Sequence, residues 1–156
     1  MMKSVILSVF ALSCLASSAV LPAQSVAPGR WAVKSTAVDL DIPGAPKFLL
    51  RMAKGRSRTE EKCLTPDQAQ TGIAAVLAPD PKAQCHVDSL QVAGGRYTQT
   101  LSCPQKKGPP LKIVRDGTYQ ASGFAGQAQM QGMTPKGAMR IRLAQQATHV
   151  AGSCRG

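Results

Sequence analysis

An all-β fold is predicted: an antiparallel meander of about seven strands, forming a curved sheet or open half-barrel, with one short helix after Cys63 and two disulfides. Short runs that alternate apolar and polar residues recur between Gly- and Pro-rich breakers along most of the chain. Only Thr65-Pro66-Asp67-Gln68 carries a full helix-start signature. Four of the five cysteines lie beyond an apolar N-terminal leader, an even number in a short chain.

Residues 1–25 read as a cleaved signal peptide, leaving 26–156 as a single domain. Lys3 is the leader's lone charge, and residues 5–15 are almost uninterruptedly apolar, too short to span a bilayer as a helix. Small residues acceptable to a leader peptidase pair at Ser17/Ala19 and at Ala23/Ser25, and cleavage is placed after Ser25. Cys14 fits a lipid-attachment site poorly, because Leu12 stands two places before it and the apolar run continues past it. Export to the periplasm follows, with no transmembrane segment in the mature chain. That compartment is oxidising, which favours disulfides over zinc, and the close cysteine pairs usual for zinc do not occur.

Taking the elements in order, residues 29–40 alternate loosely around Trp31, the only tryptophan, and read as a half-buried strand. Pro43-Gly44-Ala45-Pro46 breaks it. A second strand is expected over residues 47–58, with Phe48, Leu50 and Met52 on one parity and a basic end at Lys54, Arg56 and Arg58. Thr65 then caps a helix, Pro66 supplies the fixed φ of its first position and Gln68 completes a capping box. Gly72 weakens the helix, Ile73 to Leu77 extend it, and Pro79 and Pro81 end it. No other helix of note is expected.

Two strand-like runs between Cys85 and Cys103 flank Ala93-Gly94-Gly95. A three-residue loop there faces Cys85 with Cys103, Val87 with Leu101 and Gln91 with Tyr97. This supports a Cys85–Cys103 bridge and, by elimination, Cys63–Cys154, although four cysteines permit three pairings. A two-residue Gly94-Gly95 loop would shift the register by one and misalign the sulfurs. Beyond a basic loop at 104–110, residues 111–131 read as two strands. Asp116-Gly117 is the stronger turn signal between them and Ala121-Ser122-Gly123 the alternative. In the last strand Met139, Ile141 and Leu143 alternate with Arg140 and Arg142, laying an apolar face on the core.

The chemistry-bearing residues are few. His86 and His149 are the only histidines, no nucleophile elbow is present, and neither a phosphate loop nor a dinucleotide fingerprint occurs. The chain reads as a non-catalytic binding or envelope-associated module without a cofactor. Its basic stretches, Lys47, Arg51, Lys54, Arg56, Arg58 and Lys62, then Lys106, Lys107, Lys112 and Arg115, suit an anionic partner. With a leader and only 4% aromatic residues, dedicated nucleic-acid binding is not expected. An anionic envelope lipid, a polysaccharide or an acidic periplasmic protein is the expected class of partner. A concave sheet face using Arg140 and Arg142 is the expected ligand site. One alternative is a Cu(I) site built from Met130 and Met133 with His149 or Met52, since thioethers bind Cu(I) where thiols are oxidised. Another is an inhibitor of, or accessory to, an envelope enzyme.

Gly29 and Trp31 at the opening, Cys63-Leu64-Thr65-Pro66, the Cys-to-Cys hairpin at Gly94-Gly95, Gly117-Thr118-Tyr119 and the terminal Gly152 and Cys154 occur together in order. In these features the chain resembles the exported proteobacterial family catalogued as domain of unknown function 3617, across nearly all of the mature sequence. The resemblance implies a periplasmic, disulfide-bearing β protein. The family has no established activity, so no catalytic residue carries over. Where its members turn at a Gly-Asp or similar pair after the Gly-Thr-Tyr segment, Ala121-Ser122 stands here.

Overall fold

Alternating residues build seven strands and short helices in a computed structural model that describes residues 24–150 and 152–154. Apart from Gln24 and Ser25, the expected leader lies outside the described residues. The elements are β1 (Gly29–Asp41), α1 (Lys47–Ala53), β2 (Ser57–Leu64), α2 (Pro66–Gln70), α3 (Ile73–Leu77), β3 (His86–Ala93), β4 (Arg96–Cys103), β5 (Leu111–Gln120), β6 (Gly123–Thr134) and β7 (Gly137–Val150). All seven strands join one open antiparallel sheet in the order β2-β1-β7-β6-β5-β4-β3. Strands β3 to β7 form a meander, β1 adds along β7, and β2 forms the far edge. The link from β2 to β3 joins the two edges and carries α2 and α3.

Inward-facing positions place Trp31, Tyr97, Tyr119 and Phe124 in one core with Ile73, Val76 and Leu77 of α3. Thr65 caps α2 with the expected reciprocal Gln68 box, and Gly72 separates the two helices. The sheet curls around α3. Lys62 on β2 and Arg115 on β5 lie four strand spacings apart, about 19 Å across a flat sheet, yet both reach carbonyls at the end of this one helix. A smaller cluster, Leu101, Cys103, Ile113 and Ala128, lies toward the opposite strand ends.

Three expectations need correction. Residues 47–53 form α1 rather than a strand, with Leu49 and Leu50 amides donating to Pro46 O. The run Lys-Phe-Leu-Leu-Arg-Met-Ala has no β-branched residue and is rich in good helix formers, and that outweighs its weak alternation. The β3–β4 hairpin has a two-residue Gly94-Gly95 loop, both residues at positive φ, so Gln91 faces Thr98 rather than Tyr97. A bulge between Val87 and Ser89 restores the register, so Val87 faces Leu101 and Cys85 still bonds Cys103. Cys63 bonds Cys154. The β5–β6 turn is Ala121-Ser122, and Gly117 sits inside the ladder opposite Gly126. There a Cβ on Gly117 would lie 2.3 Å from Ala125 O and 2.9 Å from the Tyr97 hydroxyl, so the glycine makes room for backbone and ring instead of a turn.

Candidate ligand-binding cavity

The concave face holds a cavity of about 490 Å³, within the range of small-molecule sites. Its apolar floor comes from Val33 of β1, Ile113 of β5, Phe124, Ala128 and Met130 of β6, and Leu143 of β7. The end of α3 and the following residues through Asp80 form one wall. The inward parity of edge strand β2 supplies another wall, which is charged: Arg58, Glu60 and Lys62. Arg56 and Ser57 extend it toward the mouth.

Polar groups converge at the inner end. Lys62 Nζ donates to Val76 O at 2.8 Å and also to Ala78 O. Arg115 Nη1 donates to Leu77 O at 3.1 Å and to Gln99 Oε1 at 3.5 Å, and Gln99 Nε2 donates to the same Leu77 carbonyl at 3.4 Å. Pro79, directly after the extended Ala78, stops the helix, so its last carbonyls have no intrahelical partners, and these cations supply them. Burial, then the facing Arg115 guanidinium, lower the Lys62 pKa, while Glu60 and Asp80 act in the opposite direction. Burial lowers that of Arg115 as well. Arg115 Nε and Gln145 Oε1 are buried, and neither has a hydrogen-bond partner among the described residues. Four cations line the cavity, Arg56, Arg58, Lys62 and Arg115, against two carboxylates, Glu60 and Asp80. An apolar floor under a cationic inner end can seat a molecule that has an apolar body and an anionic group.

A family model described as "Protein of unknown function (DUF3617)" matches residues 26–154. The chain belongs to this family. No curated protein and no solved structure matches it.

In this DUF3617 chain Met130 and the basic residues Arg56, Arg58, Lys62 and Arg115 line the cavity, whereas Arg140, Arg142, Met133 and His149 lie elsewhere. Arg140 and Arg142 project from the opposite sheet face, beside Asp39, Gln129 and Gln131 around a hollow of about 170 Å³. The apolar partners of their alternation, Ile141 and Leu143, occupy the inward positions as expected. Met130 faces the concave side and Met133, three residues on, the other, where it is exposed. His149 lies eight positions along β7 from Ile141, the partner of Met130, a separation of about 26 Å. Its Nε2–H donates to Pro28 O at 2.8 Å and its ring meets Trp31 edge-on. The structure thus brings neither the two methionines nor the histidine together. Arg115, Lys62 and Gln99 take the central places instead. Parity alone marks Arg115 and Gln99: each is a polar residue on an inward position, between Ile113 and Tyr119 or between Tyr97 and Leu101.

Proposed function

We propose that the protein is an exported, non-catalytic binding module that takes a small amphipathic anion into its concave cavity. The cationic inner end of that cavity carries the reading: Arg115 keeps a buried Nε–H without a partner among the described residues, directly beside an apolar floor. A ligand carboxylate or phosphate there would gain charge-assisted hydrogen bonds and relieve the repulsion between Lys62 and Arg115. Phe124, Ala128, Met130 and Leu143 would cover its apolar part. Two disulfides suit the oxidising space outside the cytoplasm, and no described helix is long and apolar enough to cross a membrane.

Titration with a dansyl-labelled medium-chain fatty acid tests this. Saturable binding at one site per chain is expected, and Arg115→Met should weaken it at least about tenfold, the loss of one charge-assisted contact. Native mass spectrometry of the protein taken from the producing cell should then show a retained anionic mass. Absence of saturable binding, together with a bare native mass, would sink the proposal.

A further inference from the structure

α1 is built unlike the rest of the chain. None of its residues is buried, and only Leu50 and Ala53 are half-covered where the helix rests on the β1–β2 hairpin. Phe48, Leu49 and Met52 are 59%, 48% and 56% exposed, and Phe48 is the one described aromatic side chain outside the core. Spacings of three and four residues put these three side chains on one helical face. The segment around them, residues 43–58, contains Lys47, Arg51, Lys54, Arg56 and Arg58 and no acidic residue. The helix is tied to β1 at its C-terminal end. The Gly55 amide donates to Ala37 O, the Ala37 amide to Arg56 O, and Arg56 Nε to Met52 O at 3.0 Å. It is therefore a fixed apolar tip with a cationic rim.

We propose that α1 docks the protein on an anionic phospholipid bilayer. Phe48, Leu49 and Met52 enter the headgroup–acyl boundary, about 5–10 Å deep, while Lys47, Arg51, Lys54 and Arg56 meet the lipid phosphates. Charge complementarity selects this occupant. A second copy would bring one cationic rim against another, whereas an anionic lipid surface answers the charge of residues 43–58. A bilayer accepts an exposed apolar tip, and the long basic side chains reach its headgroups by extending alongside. Each cation near an anionic leaflet contributes about fivefold to partitioning. α1 carries this by itself, whatever the cavity holds.

Co-sedimentation with vesicles tests it, using the protein as the producing cell processes it. Pelleting is expected with vesicles of equal parts phosphatidylglycerol and phosphatidylcholine, release at about 0.5 M salt, and little pelleting with phosphatidylcholine alone. The combined Phe48→Gln, Leu49→Gln and Met52→Gln variant, which keeps good helix formers in α1, should lose at least about tenfold in partitioning. Its thermal midpoint and far-ultraviolet dichroism should stay unchanged, because none of the three side chains is buried. Unaltered binding by this variant, or equal binding to both vesicles, overturns the proposal. So does the absence of pelleting with either vesicle, and sedimentation velocity then assigns the face: self-association lost in the triple variant indicates a second copy, and none at all a protein partner.

Discussion

At the end of the sheet where β1 begins and β7 finishes, Trp31, Tyr97, Tyr119 and Phe124 are closed over by α2 and α3. At the other end the buried cluster among the described residues is Leu101, Cys103, Ile113 and Ala128, with Leu111, Met130 and Leu143 half-covered beside them. Each end has its own disulfide, Cys63–Cys154 beside the closed end and Cys85–Cys103 against the small cluster of the open end. The contrast shows how a chain with 4% aromatic residues divides its material. Of the five aromatic rings among the described residues, four go into one end, around which the sheet curls. The other end buries only a small cluster beside the cavity, and its half-covered Leu111, Met130 and Leu143 tolerate change that a filled core does not.

That division can be broken first at the disulfides. Cys63–Cys154 closes a sequence separation of 91 and Cys85–Cys103 one of 18. On the loop-entropy account, Cys63→Ser with Cys154→Ser should cost about 4–5 kcal/mol and the second pair about 3 kcal/mol. Urea unfolding reads both, and equal costs would show that the closed end does not depend on its longer link. Next, Trp31→Ala should destabilise by about 3–5 kcal/mol, whereas Leu143→Ala at the open end should cost only about 1 kcal/mol. Comparable losses at the two sites would erase the distinction drawn between them.

The smallest effect concerns Tyr97. Its hydroxyl is buried without a partner among the described residues, and burial raises its pKa from 10.0 to about 12. A raised folded pKa means that the folded state holds the proton longer than the unfolded chain. The associated stability is therefore complete below pH 10 and is lost as pH rises toward 12. Wild type should lose on the order of 2–3 kcal/mol across that window, and Tyr97→Phe should lack this component. At pH 7 the same substitution should be neutral or stabilising by up to about 1 kcal/mol, because it removes an unpaired buried hydroxyl. Guanidinium unfolding at both pH values, on both proteins, provides the comparison.

Most of the sheet was legible because alternation is strong where one face is buried. Residues 29–40 and the Met139 to Leu143 run show it, and so does the capping box at Thr65. Legibility failed where a local signal had two physical meanings. Gly117 looks like a turn residue after Asp116, but its lack of a side chain serves a close approach across strands, which only the partner strand reveals. Leu49 and Leu50 are apolar on both parities, so alternation could not separate a strand from a helix lying on the surface. The inward-facing cations were passed over for a related reason. Arg140 and Arg142 stand out because they alternate with apolar residues, yet that places them on the outer face. Arg115 stands out less, and it faces inward because it takes the place of an apolar residue.

The extra residue of the β3 bulge has one more consequence. An open sheet has two bare edges, and β3 is one of them, with Val87 and Val92 exposed along it. Asp88, inserted at the bulge, accepts a hydrogen bond from Ser102 Oγ at 2.6 Å and faces His86 Nδ1 at 3.0 Å, so a carboxylate stands where the ladder would otherwise run straight. Such a kink spoils the geometry that a neighbouring chain's strand would need to pair with this edge. The irregularity that aligns the Cys85 and Cys103 sulfurs is therefore also a guard against polymerisation, and deleting Asp88 would straighten an aggregation-prone edge at the same time as it pulled the bridge out of register.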